Sequence, residues 1–181
     1  MRFVLPNFIT AKQAEELVRT KNTEKVGKKI IKTIAKLFGE TPEKLTNRHT
    51  TIRIEAKARG HDWHFDGCKP KICGKEGAWS KIPEGKLAKT EDVFNEELVN
   101  NHMAWCKYGA SLLLTDPSTY QGGEFEYLNT DGTVKTLQKE HYLALAVHTA
   151  GADNSPELHR VLPHKPNPNQ RHVILVFLGY E

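Results

Sequence analysis

The chain has few cysteines, no long apolar run and little net charge, and each shortage excludes a class of protein. Three cysteines in 181 residues do not form a disulfide framework, and Cys68 and Cys73 lack the Cys-x2-Cys spacing of a zinc pair. The longest apolar run, 173–178, is far shorter than a bilayer-spanning helix. A net charge of +4 is only weak support for nucleic-acid binding.

The remaining composition is that of an ordinary soluble globular protein, with 38% hydrophobic and 27% charged residues. A length of 181 residues fits a single domain, 1–181. The opening segment 1–6 lacks the apolar stretch of a secretory signal, so we expect a cytoplasmic location and no membrane partner. The sequence carries no signal for the oligomeric state.

Helical patterns dominate residues 1–48, which we expect to be mainly helical support. A capping-box pattern at 10–13 predicts a helix to about Arg19. Apolar residues then recur every three or four positions over 26–38 and predict an amphipathic helix that Gly39 can close. A short strand at 3–5 and a short helix after Thr41 are also expected.

After residue 50 the pattern changes to short runs rich in β-branched and aromatic residues, which predict strands. These runs lie at 51–56, 110–115, 124–128, 142–147 and 172–177. Asp131-Gly132 predicts a tight hairpin, and the proline-rich segment 163–169 cannot continue a ladder. Helices followed by antiparallel strands predict an α+β domain whose sheets form a sandwich or barrel.

The segment 67–108 interrupts this pattern with many lysines, several glycines and prolines, and one short helix expected after Thr90. Long irregular segments in compact domains are often functional. We therefore expect a lid or insertion here that contacts substrate.

A His-x-Asp step offers the first candidate metal ligands. His64 and Asp66 lie beside an expected strand, where residues two apart project to the same side. A carboxylate and a neutral imidazole suit a first-row divalent metal, and a second imidazole would complete a facial triad with open positions. His61 is an alternative to His64 that Gly60 and the extended flanks disfavour. Alone, the motif also fits a solvated strand end.

The third ligand must come from later in the chain. The available histidines are His102, His141, His148, His159, His164 and His172. His159 belongs to a His-x-Val-x-Pro segment that is followed by an apolar strand with Arg171 at its head. We expect His148 and Trp63 to be wall or packing residues.

The ordered motifs resemble those of the Fe(II)- and 2-oxoglutarate-dependent oxygenases. They are the His-x-Asp step at 64–66, the His-x-Val-x-Pro segment at 159–163, and Arg171. Segments 112–125 and 3–9 resemble the prolyl 4-hydroxylase-like group, including its bacterial PKHD-type members. The resemblance spans most of the chain.

This resemblance implies a double-stranded β-helix, or jelly-roll, with the N-terminal helices packed on it. It implies His64, Asp66 and His159 as ligands of Fe(II). It also implies that Arg171 holds the distal carboxylate of 2-oxoglutarate by two parallel hydrogen bonds. The twelve residues between His159 and Arg171 are a slightly wider spacing than in the family. Ascorbate is a further cofactor that the resemblance admits.

The implied reaction is hydroxylation of a C–H bond with release of succinate and carbon dioxide. A prolyl residue in a peptide or protein is the expected substrate. Alternatives are a free amino acid, a small metabolite or a nucleic acid, of which the last is disfavoured because Phe177 stands where such demethylases typically carry a second arginine. A non-catalytic metal-binding β-barrel module is the alternative from another class.

Overall fold

The structure is a computed structural model, and it describes residues 1–46, 50–56, 60–67, 103, 105–129, 133–151, 154–165 and 170–180. The helices within this part are α1 (Ala11–Thr20), α2 (Glu24–Phe38) and α3 (Pro42–Leu45). The strands are β1 (Arg2–Leu5), β2 (Thr51–Glu55), β3 (His61–His64), β4 (Cys106–Leu113), β5 (Phe125–Leu128), β6 (Val134–Leu137), β7 (Leu145–Thr149), β8 (His159–Val161) and β9 (Val173–Gly179). None of the described helices combines the length and apolarity needed to cross a bilayer.

The strands form two antiparallel sheets. Five strands lie in the order β1-β7-β4-β9-β2, and four lie in the order β3-β8-β5-β6. With the helices, they make the α+β architecture that the sequence predicted.

The start of α1 and the end of α2 are where their capping residues predict. The Thr10 hydroxyl accepts a hydrogen bond from the Gln13 backbone N–H, and the Gln13 side chain accepts one from the Thr10 N–H. This reciprocal pair confirms the capping box. Gly39 ends α2 with a left-handed φ of 69°, a conformation that costs glycine little.

Apolar residues of the helices cover one face of the five-stranded sheet. The main cluster joins Ile30 and Ile34 of α2 to Leu112 of β4, Leu145 of β7 and Ile174 of β9. Burial of these side chains supplies the main driving force for packing the helices on the sheet.

A smaller cluster lies between the two sheets. It joins Phe125 and Leu137 of the four-stranded sheet to Ala146 of the five-stranded one. The helices and the four-stranded sheet therefore cover opposite faces of the larger sheet, and the β3-β8 pair comes to lie beside β7.

Two strands begin three or more residues away from their predicted starts. β4 begins at Cys106 rather than residue 110, and it is buried along nearly its whole length, so no polar and apolar alternation marks its start. β7 begins at Leu145 rather than residue 142, because a 3-10 turn at Lys139–His141 and the positive φ of 59° at Leu143 precede it.

Several predicted features lie wholly or partly outside the described residues. β5 and β6 pair from Leu128↔Val134, as the predicted hairpin requires, but its Asp-Gly turn is outside them. So are most of the proline-rich segment and residues 68–102, which include the predicted helix after Thr90. The predicted lid therefore stays a prediction.

Candidate metal centre

Neighbouring strands bring two histidines and an aspartate together. His64 ends β3 and lies opposite His159, the first residue of β8, in the antiparallel ladder. Asp66 follows two residues after β3, with Oδ1 3.2 Å from His64 Nε2 and Oδ2 3.5 Å from His159 Nε2. One ligand atom from each residue lies within 4.8 Å of the others. The strand register therefore creates the cluster.

Asp66 is buried but remains ionised. Burial by itself disfavours the carboxylate, but the positive charge on His159 and hydrogen bonds from His148, His159 and His64 outweigh that effect. Together they hold the pKa of Asp66 well below its usual range. Asp66 is thus in the form that binds a metal ion at neutral pH.

His148 of β7 contacts Asp66 directly. Its Nε2 lies 2.7 Å from Asp66 Oδ2, and its side chain is buried. Burial lowers the pKa of His148 to about 4, although the hydrogen bond to Asp66 acts in the opposite direction. A neutral His148 therefore donates to the carboxylate. From the sequence we expected His148 to be a wall or packing residue. The sequence feature that could have indicated its contact with Asp66 is its position as a histidine inside an otherwise apolar strand.

His159 is enclosed by an aromatic ring and a second carboxylate. The Phe125 ring stacks on its imidazole at 5.1 Å, and Glu157 Oε1 lies 3.5 Å from His159 Nδ1. Burial opposes protonation of His159, but the charges and hydrogen bonds of Asp66 and Glu157 outweigh it and raise the pKa to about 9. A metal ion that binds here must displace that proton.

Glu157 is in turn paired with Arg2 of β1. Burial by itself would raise the pKa of Glu157, but the charge on Arg2, together with His159, lowers it to about 2. Sequence reasoning missed both residues. An arginine next to the chain start and a glutamate in a loop normally indicate exposed positions, and no local pattern links them.

The three clustered residues fit a divalent metal ion. Two imidazoles and one carboxylate are the donor set of a facial triad, which suits a first-row metal and leaves coordination positions open. Nδ1 of His159 faces Glu157, so Nε2 of His159 points towards Asp66 and is the nitrogen available to a metal ion. Across the described ranges, no other group of this kind brings three such side chains together.

Arg171 is buried next to Tyr120. It precedes β9 by two residues, and its Nε is buried without a hydrogen-bond partner among the described residues. Burial lowers the pKa of Arg171, while Tyr120 raises it through its charge and a hydrogen bond. A guanidinium nevertheless stays protonated at neutral pH. Together, Arg171 and Tyr120 therefore offer a buried cation and a phenol to an anion.

Gly123 has no side chain, and the Arg171 side chain occupies the space that one would fill. A Cβ on Gly123 would lie 2.8 Å from Arg171 Cδ and 3.3 Å from the His164 Cβ. The His164 ring also packs edge-on against Tyr120, with ring centres 5.7 Å apart. The guanidinium of Arg171 is thus surrounded by Gly123, His164 and Tyr120.

The other candidate histidines that the structure describes do not join the cluster. His61 is exposed on β3 with its ring 3.7 Å from that of His64. His141 is buried with Nε2 2.9 Å from the Ser111 hydroxyl, and His172 Nδ1 lies 2.8 Å from the Gln170 carbonyl. His102 lies outside the described residues.

Comparison with known proteins gives structural likeness at low sequence identity. No family model and no curated protein matches the chain. A Pseudomonas putida prolyl-4-hydroxylase matches with a TM-score of 0.59 and 12% identity, over 99% of this chain and 85% of that one. This likeness shows a shared fold.

Two further solved structures match less closely. A Burkholderia pseudomallei oxidoreductase of the 2OG-Fe(II) oxygenase family gives a TM-score of 0.38 and 16% identity, over 82% of this chain and 55% of that one. A prolyl 4-hydroxylase structure from Phytophthora capsici gives 0.42 and 15%, over 99% of this chain and 47% of that one.

Proposed function

We propose that this chain is an Fe(II)- and 2-oxoglutarate-dependent oxygenase that hydroxylates a C–H bond. The observation that carries the proposal is the meeting of His64, Asp66 and His159 within 4.8 Å. This donor set leaves coordination positions open for a cosubstrate and oxygen. The proposal includes a jelly-roll arrangement of the two sheets, in a single domain over 1–181, and a substrate-contacting lid over 67–108.

The protein's own residues have distinct tasks in this proposal. His64, Asp66 and His159 would hold Fe(II) by two imidazole nitrogens and a carboxylate oxygen. Bound Fe(II) with 2-oxoglutarate supplies the oxidising chemistry, with succinate and carbon dioxide as products. Phe125, stacked on His159, and the buried neighbours around it exclude water from this side of the site.

Arg171 would bind the distal carboxylate of 2-oxoglutarate. The guanidinium has a planar set of donors that matches a carboxylate, and burial strengthens the pairing. Tyr120 would add a second donor, since its hydroxyl is already within hydrogen-bonding reach of Arg171. The unpartnered, buried Nε of Arg171 supports this assignment.

We further propose a prolyl residue in a peptide or protein as the substrate. The proposal is supported by the resemblance of segment 112–125 to prolyl 4-hydroxylase-like enzymes and by the fold shared with the Pseudomonas putida prolyl-4-hydroxylase. A free amino acid or small metabolite would need the same metal and carboxylate sites, so those sites do not favour it over a peptide. Ascorbate would serve as an accessory reductant.

The test is anaerobic reconstitution with Fe(II), followed by measurement of succinate from 2-oxoglutarate after oxygen is admitted, with and without proline-rich peptides. Succinate that rises with peptide, together with a peptide mass gain of one oxygen atom, supports prolyl hydroxylation. If succinate forms at the same rate with and without peptide, the assignment as an oxygenase stands and the proposal of a prolyl substrate is wrong. If neither succinate nor 2-oxoglutarate binding is detected, the chain is a non-catalytic metal-binding module.

A further inference from the structure

The buried side chain of Arg2 bridges the two sheets next to the metal cluster. Arg2 belongs to β1 of the five-stranded sheet, and its side chain is only 2% exposed. Its guanidinium lies 4.3 Å from the centre of the Phe125 ring and 4.8 Å from that of Tyr127, both on β5. A buried cation is costly unless acceptors surround it, so its hydrogen-bond partners are informative.

The first partner of Arg2 is Glu157. Arg2 Nε donates to Glu157 Oε2 at 2.9 Å, and Arg2 Nη2 contacts Oε1 in a forked pair. Glu157 Oε1 also lies 3.5 Å from Nδ1 of His159. A carboxylate at this place favours the proton on Nδ1 and leaves the lone pair of Nε2 for a metal.

The second partner of Arg2 is His148. Arg2 Nη2 lies 3.4 Å from His148 Nδ1. Because a guanidinium only donates hydrogen bonds, Nδ1 must be the accepting nitrogen and Nε2 must carry the proton. That proton is directed at Asp66 Oδ2, 2.7 Å away. The other carboxylate oxygen, Oδ1, faces His64.

We propose that Arg2 is a positioning residue of the metal centre, which orients His159 through Glu157 and Asp66 through His148. The inference rests on the proposed function, because it assumes that Asp66 and His159 bind the metal. One guanidinium thereby fixes the tautomer of one metal ligand and the rotamer of another. The β1 strand consequently contributes to the metal site without supplying a ligand.

The test compares Co(II) binding to the wild-type protein and to its Glu157→Gln variant. This substitution keeps the size of the side chain and removes the charge that pairs with Arg2 and faces His159. We expect the dissociation constant for Co(II) to rise about 10–100-fold. The visible absorption bands of the saturated Co(II) protein should also shift, because they report ligand geometry.

A matched control breaks a similar ion pair whose side chains project to the other face of β8 from that of His159. Arg160 pairs with Glu126 across β8 and β5, with a nitrogen-to-oxygen distance of 2.6 Å. Glu126→Gln should leave both the Co(II) affinity and the spectrum at their wild-type values. Loss of stability alone would affect the unfolding of either metal-free variant but would not shift the spectrum.

The outcomes separate this inference from the proposed function. A folded Glu157→Gln variant with wild-type affinity and spectrum overturns the positioning role. If this variant does not fold, His148→Asn removes the contact from Arg2 through His148 to Asp66. We expect the same changes in Co(II) affinity and spectrum, and wild-type values would again overturn the positioning role. If the wild-type protein itself binds no Co(II), the metal centre is refuted, and this inference falls with it.

Discussion

Gly109 lies directly opposite His148 in the β4-β7 ladder, and the His148 imidazole occupies the space that a side chain at Gly109 would fill. A Cβ on Gly109 would lie 2.3 Å from His148 Nε2 and 3.0 Å from Asp66 Oδ2. The contact between His148 and Asp66 therefore depends on a glycine on the neighbouring strand.

Gly109→Ala should displace His148 from Asp66. We expect a loss of about 1–3 kcal/mol in the free energy of unfolding from overpacking, and metal affinity about 10-fold weaker because Asp66 loses a hydrogen-bond donor. Chemical denaturation and metal titration of the purified variant measure the two effects.

The double variant Gly109→Ala/His148→Ala provides the control. Removing the imidazole makes room for the new methyl group, so the two stability losses should be less than additive. Metal affinity should stay low, because the donor to Asp66 is still missing. Additive losses would show that Gly109 and His148 do not compete for one space.

Arg171→Gln should weaken binding of 2-oxoglutarate without weakening binding of the metal. Hydrogen bonds to charged groups contribute about 1.5–3 kcal/mol, so the dissociation constant should rise about 10–100-fold. Calorimetric titration of 2-oxoglutarate into the anaerobic Fe(II) protein measures it. Arg53→Gln, at an arginine paired with Glu55 on the exposed side of β2, should bind as the wild type does. Unchanged affinity in Arg171→Gln would place the carboxylate site elsewhere.

His141 should make stability depend on pH. Burial, reinforced by the charge of Arg171, lowers its pKa from 6.5 to about 3 in the folded protein. The unfolded chain therefore takes up a proton first as pH falls below 6.5, and stability is lost from there down to about pH 3. Above pH 6.5, His141 is neutral in both states and has no such effect.

The measurement is urea unfolding of the metal-free protein at about pH 7.5 and about pH 5, in comparison with His141→Gln. The wild type should lose about 2 kcal/mol more than the variant over this interval. The glutamine can still hydrogen-bond Ser111 but does not titrate. Equal losses in the two proteins would mean that His141 is protonated in the folded state.

The sequence predicted the features that depend on neighbours along the chain. The capping box at Thr10 and Gln13 and the left-handed end of α2 at Gly39 are local, and both occur in the structure. His64 and Asp66 were also selected by short spacing. His159 required more, because only the resemblance to an enzyme family distinguished it from the other histidines.

The features that sequence reasoning missed join distant parts of the chain. Arg2 and Glu157 are 155 positions apart, and His148 and Asp66 are 82 apart. Only the order of strands, with β1 beside β7 and β8 beside β3, brings them together. Likewise, a glycine inside a strand usually only weakens it. That Gly109 makes room for the His148 ring can be recognised only once its pairing with β7 is known.

Anaerobic equilibrium dialysis with Fe(II) tests the central claim, that His64, Asp66 and His159 hold one metal ion. The wild-type chain should bind one equivalent, and His64→Ala, Asp66→Ala and His159→Ala should each weaken binding at least about 10-fold. His61→Ala is the control, since His61 is the exposed neighbour of His64 on β3, and it should bind as the wild type does. Wild-type binding in all three ligand variants would contradict the account.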